Sequence, residues 1–483
     1  MGEPSKEKPK KKKKKKPRIP PRTKMLEQDP AVRARNFEEV NLGYTVELAL
    51  GEANRCLQCP KPRCVQGCPV DVDIPGFIKL IKERRFIDAN HHIKETNALP
   101  AVCGRVCPQE NQCEGSCVLR KRYGSVCIGH LERFVADYER NNAEACYICE
   151  KLPPKNQKVA VIGCGPAGLT VAGDLIKLGY DVTIYEAFQK GGGVLAYGIP
   201  EFRLPKEIVD HEINELMENG VEIKYNMVMG KIMTVDELRE EGFDAIFIGI
   251  GAGLPRFLGI PGENLKGVVS SNEYLTRSNL MKAYDFPNYS TPQIQGDNVI
   301  VVGGGNVAMD SARTALRSGA ETVTIVYRRS MEQLPARVEE VHHAEQEGVI
   351  FKLLNNPVAF IGDDEDNLNS VRLIKMRLGE KDSSGRARPI PIPDSEWELP
   401  CDLAIISIGN NSNPLLTSTI PELELNRWGN IVVDDATGQT NIPDIFAAGD
   451  IVTGSATVIS AMGAARKAAK GIDQYLQKKK KEK

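Results

Sequence analysis

The sequence predicts an α/β protein: two parallel-sheet units, one inserted into the other, behind a helical segment crowded with cysteine. Three observations carry that prediction. Eleven of the thirteen cysteines lie between Cys56 and Cys149. From Lys158 the texture changes to short β-branched runs, VAVIG, DVTIYEA, AIFIGIG, NVIVVGGG, TVTIVYRR and LAIISIG. Glycine turns and helical stretches separate them, as buried parallel strands require. Two of these runs open onto glycine-rich loops about 140 residues apart.

Taken in order, residues 1–30 form a basic arm. Residues 1–24 hold twelve Lys or Arg against two Glu, and Lys10 to Lys16 is unbroken lysine. Such a segment has nothing to bury and is expected to be a disordered arm. No aromatic residue interleaves the lysines, so base stacking and specific nucleic-acid binding are not expected. A second basic tail, 478–483, ends the chain, and the body between carries about −15 of the net −1. There is no apolar h-region and no run long enough to span a bilayer, so a cytoplasmic location is expected. At 483 residues the chain has room for several filled cores.

Residues 31–155 read as helical. In IPGFIKLIKERRF and IGHLERFVADYER, apolar residues recur every three or four positions. Boundaries for the rest are expected at 156–290 and 400–477 for the first sheet unit, with 291–399 inserted as the second.

VAVIGCGPAGLTVAGDL is strand, turn and helix. Gly163 permits the turn, Gly165 lets the backbone approach a pyrophosphate, and Gly168 lets helix and strand pack closely; Pro166 and Ala167 open the helix. Glu186 ends the next strand, where an acid accepts hydrogen bonds from an adenosine ribose. The second loop repeats the design with Gly303, Gly305, Asn306, Val307 and Ala308, but its next strand ends in Tyr327-Arg328-Arg329. Guanidinium forks bind the 2′-phosphate that a carboxylate would repel. The first loop is therefore expected to hold FAD and the second NADP(H). Both units are Rossmann-like, and two dinucleotide sites in one chain imply hydride exchange between nicotinamide and flavin. No HExxH motif or catalytic triad is present, and the histidine pairs His91-His92 and His342-His343 have no ligand spacing.

The cysteines leave more than one reading. Cys56, Cys59, Cys64 and Cys68 are spaced C-x2-C-x4-C-x3-C-P, like the bacterial ferredoxin run whose fourth cysteine serves another cluster. CGRVCPQENQCEGSC adds Cys103, Cys107, Cys113 and Cys117. Zinc would favour paired CxxC knuckles, and only Cys56/Cys59 and Cys146/Cys149 form such pairs. Disulfides fit poorly with a reducing compartment. Cys146 and Cys149 are read as linker thiols.

GGGNVAMDSAR, GVLAYGIPEFRLPKEIV and FAAGD resemble the small subunit of NADPH-dependent glutamate synthase and its relatives. FEEVNLGYTVELALGEANRCLQCP and NLMKAYDFP look most like the FAD-bearing large subunit of the electron-bifurcating NADH-dependent ferredoxin:NADP oxidoreductase. The resemblance runs from about Asn36 to Tyr475. It implies an α-helical double [4Fe–4S] domain, then an FAD domain interrupted by an NADPH domain. By resemblance, Gly192, Gly193, Val194 and Arg203 line the flavin, Gly449 and Asp450 hold its ribityl-phosphate region, and Thr457 lies near the isoalloxazine. The implied ligands are crossed: Cys56, Cys59, Cys64 and Cys117 for one cluster, and Cys68, Cys107, Cys113 and Glu132 for the other. Cys103 is the rival to Glu132.

The resemblance implies NADPH, FAD and cluster electron transfer to a partner, in either direction. For the bifurcating enzyme that partner is a ferredoxin-reductase-like small subunit, with ferredoxin a possible third protein; for glutamate synthase it is the large subunit. A zinc and nucleic-acid protein using the lysine arm is the non-enzymatic alternative.

Overall fold

The computed structural model describes residues 19–142, 144, 147–382 and 385–482. The lysine-rich arm before Ile19 and Cys146 lie outside the described residues.

The cysteine-rich region is helical, as its periodicity predicts. Asp73 caps Ile74–Lys82 by accepting from Gly76 N, and Ile74, Phe77, Ile78 and Ile81 form its buried stripe. Pro100–Val106 crosses Ile128–Asn142 closely because Gly104 has no side chain: a Cβ there would lie 2.6 Å from the Arg133 backbone nitrogen. The chain before these helices is pinned to them. Arg22 donates to Glu114 and Ser125, and Thr23 N donates to the buried Glu52 carboxylate.

Two five-stranded parallel sheets follow. The first runs Ile445–Ala447, Ala245–Ile248, Lys158–Ile162, Asp181–Tyr185, Glu222–Lys224. The second runs Ile350–Leu353, Thr322–Tyr327, Asn298–Val302, Leu403–Ile406, Val268–Ser270. The first sheet's last strand in sequence, Ile445–Ala447, comes after all five strands of the second. The insertion expected from sequence is thus the observed topology. Its extent differs: Val268–Ser270 and Leu403–Ile406 pair with each other in the second sheet, on both sides of the expected 291–399. The crossing points pair as a small ribbon, Leu254–Pro255 with Asn410–Asn411. Short three- and four-residue strands carry too little periodicity to be assigned to one sheet from sequence. Asn355–Gly362, Leu368–Lys381, Ala387–Pro391 and Trp397–Pro400 add an antiparallel sheet to the inserted unit.

The helix Val458–Glu482 packs along Pro166–Lys177 and reaches the cysteine-rich domain. At Gly463 a Cβ would lie 2.6 Å from Pro69 O, so the two elements meet backbone to backbone. Of the lysines read as a separate tail, Lys478 to Lys481 continue this helix, and Lys479 pairs with Asp244 at 3.1 Å.

The three parts are locked by buried ions. Arg203, from the first sheet unit, is bidentate on Asp310 at 2.7 Å and 3.0 Å from Glu340, both in the inserted unit. Arg313 and Arg317 share Glu347, and Arg33 from the N-terminal segment joins the same carboxylate. Burial alone would raise Glu347, but Arg313 and Arg317 hold its carboxyl down at about 2. Phe202 lies under both guanidiniums, 3.9 Å from Arg317.

Candidate functional site

The first glycine loop sits at the carboxyl end of its sheet. Gly163 takes φ +103°, a conformation strained for any side chain, and a Cβ there would strike Gly249 O. Gly165 precedes the helix Pro166–Lys177, whose first amide groups face the loop. Two further segments converge on it. Gly192 N donates to Cys164 O, and at Gly193 a Cβ would lie 3.0 Å from Gly165 Cα. At Gly449 a Cβ would lie 3.2 Å from Ala167 Cβ. Glu186 is buried and accepts from Cys164 N at 2.8 Å and Phe188 N at 2.9 Å; burial raises its carboxyl against those bonds. The result is a backbone cradle with one acid at its edge, which fits a dinucleotide. Asp450 accepts from Ala456 N at 3.2 Å, and burial raises its carboxyl. Thr457 precedes Val458–Glu482, where Ser460 N donates to its hydroxyl at 3.3 Å. Val194 begins the short helix Val194–Tyr197 beside this cradle. Arg203 is nearly inaccessible and committed to Asp310 and Glu340.

The second loop is built alike. Gly303 takes φ +145° against Ser407 O, and the space above Gly305 is open. Asn306 accepts from Arg337 N, Val307 is exposed and Ala308 is in the core. The two arginines differ. Arg328 is exposed at the strand end. Arg329 is buried, paired with Asp382 at 2.7 Å and donating to Ala387 O. Partial burial and the neighbouring Arg329 and Arg386 lower the Arg328 guanidinium, against the opposing Asp382 carboxylate.

The cysteines fall into two groups. Cys56, Cys59, Cys64 and Cys117 line one mainly apolar cavity with Ile74, Ile78 and Ile128. Burial raises Cys56, with Cys59 and Cys117 among its neighbours; Cys64 is pushed up to about 11 by burial, with Cys117 and Cys56 beside it. The second group is Cys68, Cys107, Cys113 and Glu132: Cys68 and Cys113 each have Glu132 and Cys107 among their neighbours. Burial pushes the Glu132 carboxyl up to about 8, against one hydrogen bond from Asn97 at 2.7 Å. Cys103 sits behind Cys107, its Sγ 3.6 Å from Asn97 Oδ1 and from Met462 Sδ. Thiols gathered in half-buried to buried, mainly apolar surroundings, with one carboxylate among them, suit iron–sulfur cubanes. Met462 meets Cys103, and Gly463 meets Pro69 beside Cys68, so the segments bearing the second group lie against the helix that Thr457 opens.

Several functional neighbours carry no local sequence signal. Asn97, Glu212 and the Arg33–Glu347 contact join residues tens to hundreds of positions apart. His91 pairs with Glu139, and His92 with Asp73 and Glu95. Glu27, Glu339 and His343 lie together, but Arg33 and Arg337 already neutralise the two acids. Cys149 is buried, its N–H bonded to Asn219. No described helix is long and apolar enough to cross a membrane.

Comparison with known proteins agrees with this architecture. The family described as dihydropyrimidine dehydrogenase domain II, 4Fe–4S cluster, matches residues 33–144. The pyridine nucleotide-disulphide oxidoreductase family matches residues 157–468. The glutamate synthase (NADPH) small chain of Azospirillum brasilense is 37% identical, over 94% of this chain and 95% of its own length. The NADPH-Fe(3+) oxidoreductase subunit beta of Geobacter sulfurreducens is also 37% identical, over 92% of this chain and 68% of its own. FprA of Mycobacterium tuberculosis, solved with NADPH, shares the fold: TM-score 0.56, 21% identity, 68% of this chain and 86% of that one. The chain therefore belongs to the glutamate synthase small-chain family, NADPH-dependent flavin and iron–sulfur oxidoreductases that join a 4Fe–4S domain to a pyridine-nucleotide reductase.

Proposed function

We propose that this chain is the NADP(H)-facing subunit of a two-component reductase, exchanging a hydride with NADP(H) and electrons with a partner subunit through two [4Fe–4S] clusters. The observation that carries the reading is the contact of the helix opened by Thr457 with the two segments that bear the second thiol group: Met462 meets Cys103, one turn before Cys107, and Gly463 meets Pro69, next to Cys68. When bound, NADPH and FAD supply hydride exchange and the clusters supply one-electron conduction.

The chain's residues have separable tasks in this reading. Gly163, Gly165, Pro166, Ala167 and Gly168 cradle the FAD pyrophosphate, and Glu186 serves the adenosine end. Gly192, Gly193, Val194, Gly449, Asp450 and Thr457 line the flavin. Arg203 joins the flavin unit to the nucleotide unit through Asp310, rather than offering an uncommitted charge to the cofactor. Gly303, Gly305, Asn306, Val307 and Ala308 cradle NADP(H). Arg328 meets the 2′-phosphate, and Arg329, held by Asp382, shapes that pocket. Cys56, Cys59, Cys64 and Cys117 hold the outer cluster. Cys68, Cys107, Cys113 and Glu132 hold the inner one, with Asn97 orienting the Glu132 carboxylate.

The partner sets the net reaction. Relatives carry names as different as glutamate synthase small chain, NADP(+)-dependent formate dehydrogenase subunit beta and NADPH-Fe(3+) oxidoreductase subunit beta. This range supports a shared electron module rather than one substrate. A bifurcating ferredoxin:NADP oxidoreductase is the second reading, favoured by FEEVNLGYTVELALGEANRCLQCP and NLMKAYDFP. Isolation of the native complex decides between them: a large amidotransferase chain supports the glutamate synthase role, and a ferredoxin-reductase-like subunit supports bifurcation.

A further inference from the structure

The thiol domain and the inserted unit meet at a side chain to which the functions above give no task. Arg337 stands at the start of the helix Val338–Gln346 and is nevertheless buried. Its main chain faces the second glycine loop. Arg337 N donates to the Asn306 side chain at 2.9 Å, and Ala336 N donates to Gly304 O at 3.3 Å. A Cβ at Gly304 would lie 2.7 Å from Leu334 Cδ2, so the segment 334–337 packs directly on that loop.

The guanidinium reaches the thiol domain. It donates to Arg105 O at 2.8 Å and to Gln109 Oε1 at 3.2 Å. Both partners frame Cys107. The helix Pro100–Val106 ends just before that cysteine, and carbonyls at a helix end take donors from outside the helix. Here the Gln109 side-chain amide donates to Cys103 O and Gly104 O, and Arg337 donates to Arg105 O. Gln109 lies in sequence between Cys107 and Cys113 and is buried. It fills the space that a side chain at Gly129 would need, one turn before Glu132. Glu339 at 2.8 Å and Glu110 at 3.8 Å balance the Arg337 charge, and Val338 N adds a bond to Glu110 at 3.4 Å.

We propose that Arg337 is a positioning residue for two sites at once: it fixes the nucleotide loop to the inner thiol loop, so that filling the one alters the other. Such a linkage is reciprocal, and a change in the thiol loop must alter nucleotide affinity by the same factor. The ionic lock at Glu347 differs, because Arg33, Arg313 and Arg317 belong to neither loop.

The proposal rests on the NADP(H) and cluster reading, and the test separates the two. The probe is 2′-phospho-ADP-ribose, which fills the loop but has no nicotinamide to reduce. Its binding to the fully loaded chain is measured by titration calorimetry, and the dithionite-reduced clusters are followed by EPR. In the wild-type chain the probe should shift the signal of one cluster and leave the other in place. R337Q should raise the probe Kd by at least about 5-fold and abolish the shift. R337K, which keeps the charge but not the fork, should recover part of both. Glu347→Gln should lower Tm without changing Kd. An unchanged Kd in R337Q overturns the proposal, and so does an equal rise in Glu347→Gln, which would be general loosening. An unshifted wild-type signal also overturns it, and that measurement decides the linkage even where R337Q does not fold. A wild-type chain that binds no probe, or carries no iron, overturns the electron-transfer reading and the proposal with it.

Discussion

Glu132 is the residue at which the proposed ligand sets leave thiolate chemistry. Its carboxyl is buried among Cys68, Cys107 and Cys113 and has one hydrogen bond, from Asn97. Glu132→Cys is expected to keep both clusters and shift the midpoint potential of one, since ligand type tunes cluster potential. EPR-monitored redox titration reads this, and identical potentials would remove Glu132 from the ligand set. Arg328 is exposed where Arg329 is already paired. Arg328→Ala should lower the preference for NADPH over NADH, as a ratio of kcat/KM, by about 10- to 100-fold, the worth of one charged hydrogen bond. Glu212 provides a pH test: burial pushes its carboxyl up to about 8, and Oε2 has no partner while Oε1 accepts from Ala101 N. The native state then binds a proton that the unfolded chain has released, so stability falls as pH rises from about 4.5 towards 8, by up to about 1.4 kcal/mol per unit. Glu212→Gln should flatten that part of the Tm profile; an unaltered slope would place the titration elsewhere. At this scale the sequence was partly legible. The glycines and the terminal Glu186 and Arg328 follow from local motif chemistry. The crossing of Cys68 and Cys117 between groups, and the place of Glu132, came only from family resemblance, because they join residues 19 to 64 positions apart.

The helix Val458–Glu482 is the element through which the two halves of the proposed route meet. Gly463→Val would push a side chain into Pro69 and its carbonyl. Overpacking of this kind costs about 1–3 kcal/mol. The variant should melt lower and reduce its clusters more slowly than its flavin; equal rates in both would mean that this contact does not align them. The ionic lock among Arg33, Arg203, Arg313, Arg317, Asp310, Glu340 and Glu347 is the second element-scale device. Burial would raise Glu340 and Glu347, but the surrounding arginines hold both at about 2. Their folded values lie below the unfolded ones, so this stability is present above about pH 4.5 and is lost as pH falls towards 2. Glu347→Ala leaves buried guanidiniums uncompensated and should cost about 3–5 kcal/mol in urea unfolding. None of this lock was legible, because Arg33 and Glu347 are 314 positions apart. Leu403–Ile406 was readable as a strand in LAIISIG, but not its sheet, and Val268–Ser270 carried no pattern at all, which is why the inserted unit is wider than expected.

At the scale of the whole molecule, the order of parts is the mechanism: a nucleotide unit set inside a flavin unit, and a helical thiol domain against the flavin unit's last helix. That order was legible because cysteine density, the two glycine loops and the acid-to-arginine exchange each report on composition rather than on distant contacts. The most direct test of the account is anaerobic stopped-flow mixing of the fully loaded chain with NADPH, with iron, sulfide and zinc analysed in the same sample. The account predicts iron and sulfide in the protein, bleaching of the flavin band, and then loss of cluster absorbance. Zinc in the thiol sites, or a flavin band that NADPH leaves untouched, would contradict it.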